Sequence, residues 1–169
     1  FLTYSHIEGL LKILAKKHIK GIPVTCESQS GFDGRIMLEK PYLAKMLKDA
    51  RFRRPKIAWD NSLLDYEYIK KQVELLVNAG YKNKEISVFM LYNYDYPFEV
   101  MMEKLKKCWD LKVQISDCRY RPLNQTFDEY NTQKWEKGQT SEDYYIHKKS
   151  GWNDKNIRLF RKLVRQQNI

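Results

Sequence analysis

The sequence predicts an α/β protein built on parallel strands, and three observations support this class. An apolar stretch followed by an amphipathic helix recurs four times, with strand starts roughly every thirty residues. The stretch ISVFMLY at residues 86–92 is apolar on both faces, as in a central strand. The strands turn polar at their ends, as at the ligand-binding edge of parallel sheets. We therefore expect a partial (β/α) barrel of about four parallel strands with helices on its outer face.

The first elements are predicted from periodicity and breakers. Apolar residues recur at helical spacing from Ile7 to Leu14, which predicts a helix that Ser5 caps and that runs to about Lys17, before Gly21. The first strand is IPVTC at residues 22–26, and the polar SQSGFDGR after it is predicted to be a loop. A second helix opens at Pro41, because proline is tolerated in a first helical turn.

The later elements continue the alternation. The second strand is KIAWD at residues 56–60, and Ser62 or Asp65 begins a third helix that Gly80 stops. The stretch ISVFMLY is the third strand, and a fourth helix follows YNYDYP. The fourth strand is VQISDC at residues 113–118.

The chain has the size of one domain, with 169 residues of which 43% are hydrophobic. We expect residues 1–123 to form the partial barrel and residues 124–169 to belong to the same domain. Residues 124–153 have no clean period and are predicted to be a long irregular excursion. The basic stretch IRLFRKLVRQQ that follows is predicted to be an amphipathic helix, which either contacts a polyanion or docks with its basic face outward.

Composition limits the possible partners and the compartment. The net charge of +10 suggests nucleic acid as a partner, but most lysines lie on predicted helix faces as solvated surface, so this partner is not favoured. No run of eighteen apolar residues predicts a membrane span, and a cytoplasmic location is the expectation. The cysteines, Cys26, Cys108 and Cys118, are too widely spaced for a disulfide framework or a complete zinc site.

Spacing also argues against several kinds of chemistry. No GxGxxG or GxxxxGK[ST] motif is present, so nucleotide-triphosphate hydrolysis is not expected. The histidines His6, His18 and His147 are predicted to lie apart from one another and from the strand ends, which leaves no zinc triad and no Ser-His-Asp arrangement. No metal ligand is predicted.

A ring of polar side chains at the strand ends remains as the candidate site. Acids, amides and arginines at such an edge suit a ligand with hydroxyls, an amino-acid moiety or a phosphate. Helix caps and loop ion pairs explain any single member equally well. The ring comprises Glu27, Gln29, Asp33, Arg35, Asp60, Asn61, Asn93, Asp95, Asp117, Arg119 and Arg121.

The order of four motifs resembles the later strands of radical S-adenosylmethionine enzymes, especially the iron-sulfur oxidoreductase-like members. The motifs are SQSGFDGRIMLEKPYLAKML, RPKIAWDN, ELLVNAGYKNKEISVFMLYNYDYPFE and RYRPLN, and the likeness covers residues 1–125. The resemblance implies the later strands of a (β/α)6 barrel that binds S-adenosylmethionine across its strand ends. It identifies neither the substrate nor the catalytic residues.

The resemblance implies cofactor-facing roles for residues after the first two strands. Glu27, Gln29 and Arg35 occupy the position from which the family's polar side chains approach the methionyl carboxylate or the substrate. Trp59 and Asp60 fall near the ribose.

The last two strand ends carry further implied contacts. Asn93 and Tyr94 end a strand beside the adenine, where the family often has a glycine that this chain lacks. Arg119 and Tyr120 follow the last strand of the barrel.

The family's [4Fe-4S] cluster lies on a CxxxCxxC loop, and this chain has no such triplet. We therefore expect the cluster and S-adenosylmethionine to act in a longer protein, of which this chain is an artificial truncation, a proteolytic remnant or a natural form without the redox half. The expected partners are an N-terminal segment with the cluster and a second copy at the open barrel edge. The alternative is a non-catalytic basic α/β module that binds nucleic acid or a partner protein.

Overall fold

A computed structural model describes residues 1–123 and 145–168, in which helices and short strands alternate. The helices are α1 Ile7–Lys16, α2 Gly34–Glu39, α3 Tyr42–Asp49, α4 Tyr66–Asn78, α5 Phe98–Asp110 and α6 Asp154–Gln167. The strands are β1 His18–Ile19, β2 Ile22–Pro23, β3 Cys26–Glu27, β4 Phe52–Arg53, β5 Lys56–Ala58, β6 Ser87–Tyr92 and β7 Gln114–Arg119. None of the described helices combines the length and the apolar character that crossing a bilayer requires.

The main sheet is parallel and ordered β5-β6-β7, with β6 in the centre. β3 pairs in parallel with β4, and Phe32 forms a parallel bridge with Ile57, so the chain after β3 runs beside β5. The prediction of a parallel α/β fold is therefore confirmed. Within the described residues the strands do not close into a barrel.

The two faces of the sheet are covered to different extents. Ile57, Val88 and Ile115 align across β5, β6 and β7, and all three side chains are buried. The next residues in register, Ala58, Phe89 and Ser116, are only half-buried. Crossovers between adjacent parallel strands are right-handed, which collects the helices on one face when strand order follows chain order. The core therefore lies mainly under one face of the sheet.

The prediction of a strand over residues 22–26 is wrong in its extent. Ile22 and Pro23 instead form an antiparallel hairpin with β1, across a turn in which Lys20 and Gly21 both have positive φ. Ile22 is 70% exposed, so its apolar side chain does not contribute to the core. The parallel strand starts only at Cys26.

Two predicted helix starts also differ from the structure. SQSGFDGR is not a loop throughout, because Asp33 caps α2, which begins at Gly34. The first helix begins at Ile7, and its N-cap is His6, which makes no side-chain cap, rather than the predicted Ser5.

The third helix begins and ends as predicted. The Ser62 hydroxyl accepts from the Leu64 N–H and caps a 3-10 turn, Leu63–Asp65, that leads into α4. Gly80 follows the end of α4 with a φ of +102°, and the N–H groups of Gly80 and Tyr81 bond back to the last turn.

The basic C-terminal helix α6 docks on the core. Ile157, Phe160 and Val164 are buried, while Arg158 bonds to Asp154 on its own helix. The other alternative, contact with a polyanion, stays a prediction. Residues 124–144 of the predicted excursion lie outside the described residues, and its last part, residues 145–153, contains the 3-10 turn Lys148–Ser150.

The C-terminal end of α6 pairs with the edge strand β7. The Ile115 N–H donates to Asn168 Oδ1 at 2.8 Å, and Asn168 Nδ2 donates to the Ile115 carbonyl at 2.7 Å. Gln167 Nε2 donates to the Val113 carbonyl at 2.9 Å. Side-chain amides thus bond to the outer edge of β7 as a further strand would.

Candidate functional site

A cleft of about 780 Å³ opens at the carboxyl end of β5. It lies between the strand-end turn, the start of α2 and the inner face of α4. The polar residues that line it, together with the rings of two aromatic residues, are Asp33, Arg35, Glu39, Trp59, Asp60, Asn61, Asp65, Tyr68 and Gln72. The sequence predicts a site at this edge of the sheet, where the carboxyl ends of the parallel strands meet.

Lys104 of α5 holds the turn after β5 in place through hydrogen bonds to its backbone. Lys104 Nζ donates to the carbonyls of Trp59 at 3.1 Å and Asn61 at 2.5 Å. The ammonium also lies 5.2 Å from the ring centroid of Trp59 and 4.7 Å from that of Tyr96. Lys104 is 1% exposed, and this burial lowers its pKa to about 8, although the carboxylates of Asp60 and Asp65 oppose the shift.

Asp60 presents a carboxyl group at the mouth of the cleft. Burial of the carboxyl against the strand end raises the pKa of Asp60, and the positive charge of Lys104 acts in the opposite direction. The residue as a whole is exposed, so its carboxyl remains accessible from solvent. Asp60 makes no side-chain hydrogen bond within the described part of the chain. It is therefore available to a ligand.

Asp33 and Arg35 form the opposite rim at the N-terminus of α2. Asp33 Oδ1 accepts from the backbone N–H of Arg35 at 3.1 Å and from Arg35 Nε at 2.9 Å. Asp33 Oδ2 accepts from Arg35 Nη2 at 2.8 Å. The hydrogen bonds from Arg35 hold the pKa of Asp33 below its usual value. The Arg35 side chain is 78% exposed, so most of its donors face solvent.

The floor of the cleft contains a buried amide, Gln72, whose oxygen has no hydrogen-bond partner among the described residues. Gln72 of α4 is 4% exposed, and its Oε1 accepts no hydrogen bond from the residues that the structure describes. It lies against Gly34, where a Cβ atom would come within 1.7 Å of Oε1. A larger residue at position 34 would require the Gln72 side chain to move, so glycine permits this close contact between α2 and α4. A buried polar atom without a partner is uncommon and points to a ligand.

The ends of β6 and β7 are organised by Asn93, which is fully buried and has a φ of +58°. Its Nδ2 donates to the carbonyls of Tyr120 at 3.1 Å and Tyr145 at 3.0 Å, and its Oδ1 accepts from the His147 N–H at 2.9 Å. Arg119 also donates to the Tyr145 carbonyl, at 2.8 Å. The segment after the excursion is thereby fastened to both strand ends.

The prediction that His147 lies apart from the strand ends is wrong. Its ring lies 5.7 Å from the ring of Tyr94 and 6.3 Å from that of Tyr120, the residues that follow β6 and β7. Tyr94 and Tyr120 are themselves 4.3 Å apart. No local spacing indicated this contact, because His147 reaches the sheet from the far side of a long connection. His147 and Tyr145 are the site residues that sequence reasoning missed.

The structure brings the remaining predicted residues together only in part. Trp59, Asp60 and Arg35 share the cleft, whereas Asn93, Tyr94, Arg119 and Tyr120 gather at the ends of β6 and β7. Glu27 and Gln29 line neither group.

Glu27, Gln29 and Asp117 lie outside the cleft lining. Glu27 lies 3.7 Å from the ammonium of Lys56, and Gln29 is exposed. Burial raises the pKa of Asp117, which interacts with Arg161 of α6.

The cysteines do not fit an iron-sulfur cluster. Cys26 lies on β3, Cys118 on β7, and Cys108 is fully buried in α5, where burial raises the pKa of its thiol. Among residues 1–123 and 145–168, no three His, Cys, Asp or Glu side chains are grouped as metal ligands. A cluster needs several closely placed thiolates. The described residues therefore do not fit a cluster site.

Comparison with known proteins gives no relative: neither a family model, nor a curated protein, nor a solved structure matches the chain.

Proposed function

We propose that this chain binds S-adenosylmethionine in the cleft at the end of β5 and supplies that edge to a radical S-adenosylmethionine enzyme. The observation that carries the proposal is the combination, around one cleft, of the Asp60 carboxylate, the exposed guanidinium of Arg35 and the buried Gln72 Oε1, which has no hydrogen-bond partner among the described residues. Its volume of about 780 Å³ lies within the range of small-molecule sites.

The chemistry of the lining matches the groups of this cofactor. Asp60 offers an acceptor for ribose hydroxyls or an ammonium, and Arg35 offers donors for a carboxylate. The ring of Tyr68, which is 58% exposed at the cleft, offers a stacking surface for adenine. The proposed role of these residues is to bind and orient the cofactor.

The partial barrel belongs to the same proposal. The sequential order of β5, β6 and β7, with one face less covered, is what part of a (β/α)6 barrel would present. The cluster and the remaining strands would come from residues beyond the described ones. Because the described cysteines do not fit the cluster, the proposed role of this chain is confined to holding the cofactor.

Calorimetric titration of the chain with S-adenosylmethionine tests the proposal. We expect saturable binding that Asp60→Asn weakens by about tenfold, which corresponds to about 1.4 kcal/mol. Asp49→Asn is the matched control, because Asp49 is an exposed carboxylate on α3 that bonds to Lys45, away from the cleft. No binding to the folded chain at millimolar cofactor, or equal binding to both variants, would overturn the proposal.

A further inference from the structure

A second group of side chains lies at the ends of β6 and β7, outside the cleft. The Tyr145 hydroxyl lies 2.6 Å from His147 Nδ1, and His147 Nε2 lies 3.6 Å from Asp95 Oδ1. The phenol, imidazole and carboxylate follow one another in the order found at activated hydroxyls. There the imidazole acts as the base for the hydroxyl, and the carboxylate orients the imidazole.

The backbone of this group is fixed in place. Asn93 bonds to the backbone on both sides of Ile146, and the Ser150 hydroxyl donates to the Asp95 carbonyl at 2.9 Å. The 3-10 turn Lys148–Ser150 follows directly. Tyr145 and His147 therefore meet the strand ends through hydrogen bonds as well as ring contacts.

The hydrogen-bond roles follow from the donors available. If the phenol donates to Nδ1, the imidazole proton lies on Nε2, on the side of Asp95. This Nε2 is buried and makes no hydrogen bond within the described residues, because 3.6 Å exceeds hydrogen-bond length. The Asp95 side chain is 63% exposed and so has room to rotate toward it. We expect the Asp95 carboxylate to come within hydrogen-bond distance of Nε2 once the imidazole gains a second proton and becomes positively charged.

The surroundings keep the phenol protonated at rest. Burial raises the pKa of Tyr145, and the neighbouring Tyr120 and Asp95 add to the rise. The groups that face His147 are Asp95, the rings of Tyr94, Tyr120 and Tyr145, and Arg119 through the Tyr145 carbonyl. The hydrogen bond from Tyr145 to His147 Nδ1 gives this phenol a neighbouring base that can take its proton.

We propose that Tyr145, His147 and Asp95 form a proton-transfer site for a small molecule that presents an ionisable O–H or N–H group at the ends of β6 and β7. The ligand's proton passes to Tyr145 Oη while the phenolic proton passes to His147 Nδ1. The imidazolium is stabilised by Asp95, whose exposed carboxylate relays the Nε2 proton to solvent. The net change is one proton from ligand to water. This inference does not rest on the proposed binding of S-adenosylmethionine.

Sulfonylation measures the activation of the phenol without a known ligand. A benzenesulfonyl fluoride forms an S–O bond with Tyr145 Oη, the S–F bond breaks, fluoride leaves, and His147 takes the phenolic proton. The rate at each tyrosine is read by mass spectrometry of peptides from the intact chain between pH 5 and 9. Tyr68 is the internal standard, because it is 58% exposed.

We expect Tyr145 to react about tenfold faster than Tyr68 at pH 7 or more. Its rate should already be high near neutral pH, well below the pH at which a phenol ionises, because the phenolic proton passes to the imidazole. His147→Gln should remove this excess, whereas His6→Gln, at an exposed histidine, should keep it. Equal rates at Tyr145 and Tyr68, or an excess that survives His147→Gln, would overturn the proposal. If His147→Gln does not fold, the pH profile of the unaltered chain decides alone.

Discussion

Neighbouring ends of the same sheet use polar residues in opposite ways. At the end of β6, Asn93 is buried and its amide makes three hydrogen bonds with the backbone. At the end of β5, the Asp60 carboxyl is open and makes none with the described residues. The difference comes from the chain that returns over β6 and β7 after the excursion. A polar residue at a strand end is thus structural where a later segment covers it, and available for binding where none does.

The largest expected effect is at the covered end. Asn93→Ala removes three hydrogen bonds and places alanine at a positive φ, so we expect the free energy of unfolding to fall by about 3–5 kcal/mol. Asn61→Ala, at the exposed asparagine of the open end, should change it by less than about 0.5 kcal/mol. Urea denaturation measures both. Similar losses for the two variants would show that the ends do not differ.

The contact between Gly34 and Gln72 sharpens the description of the open end. Gly34→Ala brings a Cβ atom into the Gln72 amide, and we expect a loss of about 1–3 kcal/mol in stability. Adding Gln72→Ala should recover about 1 kcal/mol or more, as coupling between contacting residues. Gly9→Ala, an exposed helical position with open space around it, should stabilise the chain by about 0.5–1 kcal/mol. Strictly additive losses would contradict the contact.

Lys104 gives the open end a pH dependence. Its pKa is lowered to about 8 in the folded chain, so between pH 8 and about 10.4 the unfolded chain binds more protons and stability rises with pH. Relative to Lys104→Met, the native chain should gain about 2 kcal/mol between pH 7 and 9.5. Lys106→Met, at an exposed lysine of the same helix, is the control for both denaturation series. A constant difference between native chain and Lys104→Met would contradict the burial of this charge.

The smallest effect is expected at the rim. Asp33→Ala removes the cap of α2 and should cost about 1 kcal/mol in chemical denaturation. Arg35→Ala should cost less, because its ion pair is solvent-exposed. A larger loss from Arg35→Ala than from Asp33→Ala would mean that the rim depends on the pair and not on the cap.

The parallel order of the sheet could be predicted because β5 and β6 are each followed, after a short turn, by an amphipathic helix. The hairpin at Ile22 could not, since an exposed isoleucine and a buried one look alike in a short apolar run. The start of α2 was missed because a short helix that opens at a glycine has no periodicity of its own. The contact of His147 with β6 spans more than fifty residues, as in its bond to Asn93, and leaves no local pattern.

Two buried polar residues did leave a signal in the sequence. Lys104 falls in the apolar stripe of α5 with Met101, Leu105 and Cys108, and Gln72 falls in that of α4. Polar residues inside an apolar helical stripe are expected to be buried and to have a partner or a role. Lys104 contacts the turn after β5, and Gln72 lies at the floor of the cleft.

Asn168 bears on how large this sheet can grow. Strand recruitment needs outward-facing N–H and C=O groups, and at Ile115 both are already occupied by one amide side chain. A peptide or second copy that sought to extend the sheet past β7 would first have to displace the last turn of α6. Assembly by strand addition is thereby directed away from this border.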